Sequence, residues 1–342
     1  LDIGVEQGTV RIHQFNLTGD KTRLGVTGSV DLARRRIGIH AEGDANLGIL
    51  QLFSGNIRGS GRAALTADVT GDLDHPQFGG SATLDNGRLR HMFLPHAIEN
   101  INGRIVFAGN SIGFDEVAAK VGRGNVRFGG RITLSGLWPS QLDVTASGES
   151  MELRYPAGLR SVVDADLALR GSIEDPLLSG TVTVLNASYT KRMEDLGGGM
   201  ELTAAGPSSA PSGSSSGLGF PLRFNIQLLA RSSIEIDNNV ARIALSADLT
   251  LRGTPDRPVV LGRAEVERGE VWFEGRRYVV TRGTFDFINP GKFEPYFDVE
   301  AETSARTPGQ TYHVTLRVTG NLQRIDSEFS SDPPLSELDI VS

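Results

Sequence analysis

Apolar and polar residues alternate over stretches of five to eight along the whole chain, and Gly, Asn or Asp closes most of these stretches. This period predicts strands with one oily and one wet face, joined by tight turns. The clearest pairs are Leu24 and Val26, Ile37 and Ile39, Ile105 and Phe107, Val126 and Phe128, Ile132 and Leu134, and Leu142 and Val144. Further along come Val182 and Val184, Ile234 and Ile236, Leu249 and Leu251, Phe285 and Phe287, and Val314, Leu316 and Val318. Arg35, Thr133, Asp143, Thr183, Glu235 and Thr250 stand between such apolar positions and supply the wet face.

One stretch departs from the alternation. In Asp44–Phe53 the apolar residues Leu47, Leu50 and Phe53 recur every three positions behind Asp44, a suitable N-cap, so a short helix is expected there. One helix of that size cannot cover some twenty strands. The sheet must curl on itself, leaving an apolar interior that is either filled by side chains or open to an apolar ligand. The predicted class is therefore all-β: an elongated, curled open sheet with at most one or two short helices. Its inward positions are Ile105, Phe107, Val126, Phe128, Val182, Val184, Ile234, Ile236, Leu249, Leu251, Phe285, Phe287, Leu316 and Val318.

A longer repeat overlies the strands. Gly71, Pro76, Gly80 and Gly87 match Gly171, Pro176, Gly180 and Ala187, and again Gly253, Pro258, Gly262 and Gly269. Each unit reads as a strand ending at glycine, a proline-bearing turn, and a strand opening at glycine. The prolines, lacking a backbone donor, are expected outside the ladder. Residues 204–219, rich in Ser and Gly and without periodicity, predict a flexible and dispensable loop. It separates a repetitive β segment, 1–203, from a continuous second one, 220–342. Leu1 in place of Met suggests a piece of a longer protein, with unpaired sheet edges near Leu1 and Ser342 that recruit other chains.

Composition narrows the possibilities. Glycine supplies 42 of 342 residues, well above the usual share of about 7%, as frequent turns require. The longest uncharged stretch, 202–222, is mostly Ser, Gly, Pro and Ala and cannot serve as a membrane-spanning helix. A net charge of -7 with scattered basic residues argues against nucleic acid as a partner. With no cysteine, disulfides and thiolate metal sites are excluded.

Candidate chemistry is sparse. His13, His40, His75, His91, His96 and His313 are scattered without metal-ligand spacing. Asp72 with Asp74, and Glu265 with Glu267, share strand faces but neighbour turns and glycines, so they read as solvated charges rather than an acid–base pair. Gly122, Gly124, Gly129 and Gly130 lack the Lys-Ser/Thr of a phosphate loop, and no Gly-x-Ser-x-Gly elbow occurs. Neither enzymatic activity nor a cofactor is expected. The one dense aromatic patch is Trp272, Phe273, Tyr278, Phe285, Phe287, Phe293, Tyr296 and Phe297, suited to core filling or to an aromatic wall.

The last 85 residues carry a resemblance. The stretch GRAEVERGEVWFEGRRYVVTRGTFDFINPGKFEPYFDVEAET (262–303), followed by VTLRVTGNLQRIDSEFSSDPPLSELDIVS (314–342), is similar to the C-terminal region of TamB proteins. It has a glycine-led strand, an aromatic pair, a strand ending in Arg-Gly, a Phe-x-Phe-x-Asn-Pro turn and a closing Ser-Asp-Pro-Pro-Leu-Ser. Upstream, ADLALRGSIEDPLLSGTVTVLNASY (165–189) resembles the family's weaker internal repeats. The resemblance implies a β-taco groove in the periplasm of a Gram-negative bacterium, in a protein anchored to the inner membrane by a helix outside this piece. Phospholipids or other acyl lipids, and a TamA-like outer-membrane barrel, are the partners it implies.

Two functions are in competition on this basis: a lipid conduit between membranes, and a chaperone-like scaffold whose strand edge pairs with client or barrel strands during outer-membrane protein assembly. A β-helical adhesin is disfavoured, because coils of about 20 residues with stacked polar ladders are missing.

Overall fold

The computed structural model describes residues 2–6, 8–19, 21–52, 57–91, 96–155, 158–192, 222–273, 275–290, 294–307, 310–321 and 324–334. The chain is all-β, as its alternation predicts, and the sheet is open. Its described strands begin with β1 (Asp2–Glu6), β2 (Thr9–Gly19), β3 (Thr22–Asp31), β4 (Arg36–Asn46), β5 (Ile57–Asp72), β6 (Pro76–His91) and β7 (Ile98–Gly109). They continue with β8 (Ser111–Val121), β9 (Gly124–Ser135), β10 (Trp138–Leu153), β11 (Leu159–Ser172), β12 (Leu177–Tyr189) and β13 (Arg223–Asp237). The last are β14 (Ala241–Thr254), β15 (Arg257–Phe273), β16 (Arg276–Phe287), β17 (Tyr296–Thr307), β18 (Gln310–Gly320) and β19 (Ile325–Asp332). Contacts gather these into two compact units: one within 1–151, 165–179 and 207–223, the other within 152–164, 180–206 and 224–342.

In the first unit β1 to β10 pair antiparallel in chain order, each with the next from β1–β2 to β9–β10. The buried core sits to one side, where Ala63, Leu84, Ile101, Val117 and Ala119 pack together and Leu47 lies against them. Leu47 belongs to the expected helix, which forms as a six-residue 3-10 turn, Leu47–Leu52. Three-residue spacing suits the 3-10 pitch, and six residues are too few to nucleate an α-helix. Asp44 is not its cap. It lies within β4 and accepts hydrogen bonds from Arg62 at 2.9 and 3.1 Å, while the Asn46 side-chain oxygen accepts from the Gly48 amide at 2.9 Å. Phe53 lies outside the described residues.

In the second unit β13 to β19 are antiparallel in chain order, but β12 and β13 run parallel. Ser233 donates to the Val184 carbonyl at 2.7 Å and Asn238 to the Lys191 carbonyl at 3.3 Å, so both strands advance in the same direction. Parallel neighbours need a crossover connection, unlike the tight hairpins elsewhere. The expected loop, 204–219, falls in that connection and lies outside the described residues.

The repeated glycines Gly71, Gly171 and Gly253 are the penultimate residues of β5, β11 and β14, at positive φ of 101°, 115° and 84°. Gly80, Gly180 and Gly262 lie inside the strands that follow. The prolines differ from expectation. Pro76 opens β6 opposite Gly71, and Pro258 is the second residue of β15 opposite Gly253. Both are thus in register at the strand's first turn, where a missing N–H costs least, rather than outside the ladder. Pro176 directly precedes β12 and is fully buried.

Candidate functional site: the apolar sheet faces

Register turns the alternation of the first unit into continuous apolar rows. One runs across nine strands, from β2 to β10, through Phe15, Val26, Ala41, Ala67, Gly80, Phe107, Ile112, Ile132 and Leu142. A parallel row follows through Leu17, Leu24, Gly43, Leu65, Ala82, Ile105 and Phe114. Apart from Leu142 and Ala82, which are buried, and Gly80, which is exposed, the residues of these rows are half-buried, and Ile105 and Phe114 of the second row pack against the core cluster.

Two glycines in these rows adopt backbone that other residues avoid. Gly43 has φ +140° and Gly80 φ +104°, and a Cβ on either would stand 2.1 Å from a carbonyl oxygen of the adjacent strand, Arg23 or Thr66. Such positions permit close strand approach and a sharp local bend, which lets an apolar face become concave.

The opposite face is charged. Arg62 with Asp44 (2.9 Å), Arg88 with Glu99 (3.1 Å) and Arg170 with Asp143 (3.0 Å) bridge its strands, and His40 contacts Asp68 at 2.7 Å. All are solvated pairs of little energetic weight. Their effect is to make one face of the sheet polar and to leave the apolar rows on the other. The hydrogen bond that His40 donates to Asp68 raises the pKa of His40, and burial lowers that of His91. Among the described residues no three metal-ligating side chains converge.

The second unit is packed differently. Ile243, Leu245, Tyr278, Val280, Ala301, Val314 and Leu316 form one cluster, with Leu316 at 0%, Ala301 at 1% and Val314 at 2% exposure. The rings of Phe273 on β15 and Phe329 on β19 lie 5.9 Å apart. Four strand spacings would separate these strands by about 19 Å in a flat sheet. The sheet therefore doubles over here, and side chains fill its interior.

The candidate inward residues divide accordingly. Phe107 lies in the first half-buried row; Ile105, in the second, packs against the first unit's core as Phe128 does, and Val126 and Phe128 pair with Ala119 and Val117 of that core. Ile234, Ile236, Phe285 and Val318 pack around the second cluster and Leu316 is at its centre. Leu249 pairs with Leu228, and Leu251 with Ile226 and Val260, all toward the other end of β14. Phe287 pairs with Gly262, and Val182 and Val184 are half-buried in β12. The aromatic patch spans both faces. Tyr278 is buried and Phe285 meets Phe297 at 6.3 Å, yet Trp272 stacks beneath the Arg242 guanidinium at 6.0 Å and Tyr296 is 47% exposed. Phe293 lies outside the described residues.

No sequence signal marked Tyr189. It is 8% exposed, its hydroxyl is buried with no hydrogen-bond partner among the described residues, and burial raises its pKa. An orphan hydroxyl costs about 1–3 kcal/mol. Tyr189→Phe is expected to leave stability unchanged or raise it by about 1 kcal/mol in denaturant unfolding. A loss of that size would reveal a partner outside the described residues.

The family model of the TamB C-terminal domain matches residues 115–342. Protein SUBSTANDARD STARCH GRAIN 4, chloroplastic, of Oryza sativa subsp. japonica is 29% identical over 124 residues, 36% of this chain and 6% of that protein. Protein TIC236, chloroplastic, of Arabidopsis thaliana is 25% identical over 146 residues, 41% of this chain and 6% of that protein. The chain thus spans about 6% of the length of these relatives.

Proposed function

The chain belongs to the TamB C-terminal domain family, and from that premise we propose that its half-buried apolar rows hold phospholipid acyl chains within a periplasmic bridge between inner and outer membrane. At the family level TamB domains serve outer-membrane biogenesis or lipid transport, work with TamA-like partners, and are not a known enzyme family. The observation that carries the proposal is the row from Phe15 to Leu142, apolar across nine strands and for the most part only half-buried. Each methylene withdrawn from water onto such a surface contributes about 0.8 kcal/mol, so roughly ten suffice for tight holding. The site needs no specific polar contact, in keeping with a conduit that must release what it binds.

The test is a pair of photo-crosslinking side chains. At Phe107, between Gly80 and Ile112, the probe should capture phospholipid in cells; at the exposed neighbour Ala108, between Gly79 and Ser111, it should not. Leu251 and Thr250, adjacent on β14, repeat the contrast in the second unit. Equal labelling at Phe107 and Ala108 would reduce the apolar face to packing alone.

A second function has its own observation. Among the described residues β19 is paired on one side only, by β18, which leaves a strand edge suited to pairing with a client or barrel strand.

A further inference from the structure

The polar face of the second unit holds a cleft of about 450 Å³, and most of the charges that line it are already paired. Arg242 lies 3.3 Å from Asp237 and stacks on the Trp272 ring, while Arg277 is paired with Glu270. Two charges are left over. Glu235 on β13 and Arg268 on β15 line the same cleft, both are exposed, and neither has an ion pair or hydrogen bond among the described residues.

Register sets these opposite charges on the two flanks of one small residue. Ala244 of β14 pairs with Glu235 on one side and with Arg268 on the other, and at 6% exposure it forms the floor between them. The two charged residues are thus two strand spacings apart, about 9.6 Å, and strand side chains stand roughly perpendicular to the sheet. Subtracting two hydrogen bonds of about 2.9 Å leaves roughly 4 Å for a ligand that touches both. That is the span of an α-amino acid, whose ammonium and carboxylate are joined through a single carbon. A zwitterion with a longer bridge overshoots the gap, and an ion of one sign leaves Glu235 or Arg268 unmatched.

We propose that this cleft binds an α-amino acid, with its carboxylate on Arg268, its ammonium on Glu235 and its α-carbon over Ala244. The guanidinium donates two parallel N–H bonds to the carboxylate, and the ammonium donates to the Glu235 carboxylate. A peptide carries its two terminal charges at opposite ends, so the site selects the free amino acid. The inference does not rest on lipid binding: Ala244 stands between Ile243 and Leu245, which belong to the apolar interior, and faces the other way.

The test titrates glycine, N-acetylglycine, glycinamide and γ-aminobutyrate onto the intact 342-residue chain by ligand-detected nuclear magnetic resonance. Glycine should bind about tenfold more tightly than the other three, which lack the ammonium, the carboxylate or the short span. Glu235→Gln should erase the preference over N-acetylglycine by weakening glycine, and Arg268→Gln should erase the preference over glycinamide. Phospholipid capture at Phe107 should be unchanged in both variants, which separates this site from the lipid proposal. Absent glycine binding, equal affinity for the four ligands, or preferences that survive both substitutions would each overturn the proposal. So would a Glu235→Gln variant that binds N-acetylglycine more tightly, since Glu235 and Arg268 would then be paired with each other in solution. The ligand comparison on the unaltered chain stands even if a variant fails to fold.

Discussion

Leu316→Ala is expected to lower the unfolding midpoint of the second unit by roughly 10 °C. Leu316 is fully buried, and its cluster draws side chains from β14, β16, β17 and β18. Truncating a leucine so enclosed costs about 3–5 kcal/mol, because the lost contacts and the remaining cavity both count when rigid strands cannot collapse inward. For a unit of some 150 residues each kcal/mol is worth about 2–4 °C. Val318→Ala, two residues along the same face but only half-buried, should cost about 1 kcal/mol. Differential scanning calorimetry with tryptophan fluorescence separates the two. Near-equal small shifts would mean that this interior is lined by something mobile rather than packed by side chains, and would return the second unit to the set of open lipid surfaces.

The second unit answers the alternative that the alternation leaves open by filling its interior with side chains. A curled sheet must either fill its interior or offer it to a ligand, and period-two patterning is identical in the two cases. Ile105 and Leu316 look alike as residues in a sequence. What separates them is how many other strands approach the same face, a property of curvature. Curvature depends in turn on where glycines take up positive φ, and no single strand's pattern reveals that.

Other features were legible for definite reasons. Alternation gave the strands because one face is apolar throughout, and the Gly-Pro spacing located the ends of β5, β11 and β14 because a turn there needs a residue free of Cβ strain. The parallel pairing of β12 and β13 was hidden, since a strand's pattern reads the same in both directions. Charge pairing across strands was hidden too: Arg282, Glu300, Arg317 and Glu328, on β16, β17, β18 and β19, lie 18, 17 and 11 residues apart along the chain and become neighbours only through register. Asp44 shows the opposite error, a good cap residue used in a strand because Arg62 reaches it from the strand across.

Glycine offers the sharpest test of how the apolar face is shaped, because two glycines of the first unit occupy strand interiors under contrasting conditions. Gly38 would meet no atom within 4 Å of an added Cβ, whereas a Cβ on Gly80 would meet the Thr66 carbonyl oxygen at 2.1 Å with φ at +104°. Gly38→Ala should be tolerated or stabilise by about 0.4–1 kcal/mol, since it restricts the unfolded chain and meets no obstacle. Gly80→Ala must either move the β5 backbone or force β6 out of a conformation that is nearly exclusive to glycine, at a cost of about 3 kcal/mol or more. Relaxing β6 toward ordinary extended geometry would also straighten the sheet where Ala67, Gly80 and Phe107 adjoin. Bound phospholipid should therefore fall in proportion to the flattening, even in variants that remain folded at low temperature. Chemical denaturation of both variants, with lipid measured by mass spectrometry on the same preparations, reads both consequences. If Gly80→Ala proves as stable as Gly38→Ala, the close approach of β5 and β6 is not what holds the sheet in its curve; if it is destabilised yet retains its full lipid load, curvature at that point is not what the acyl chains require.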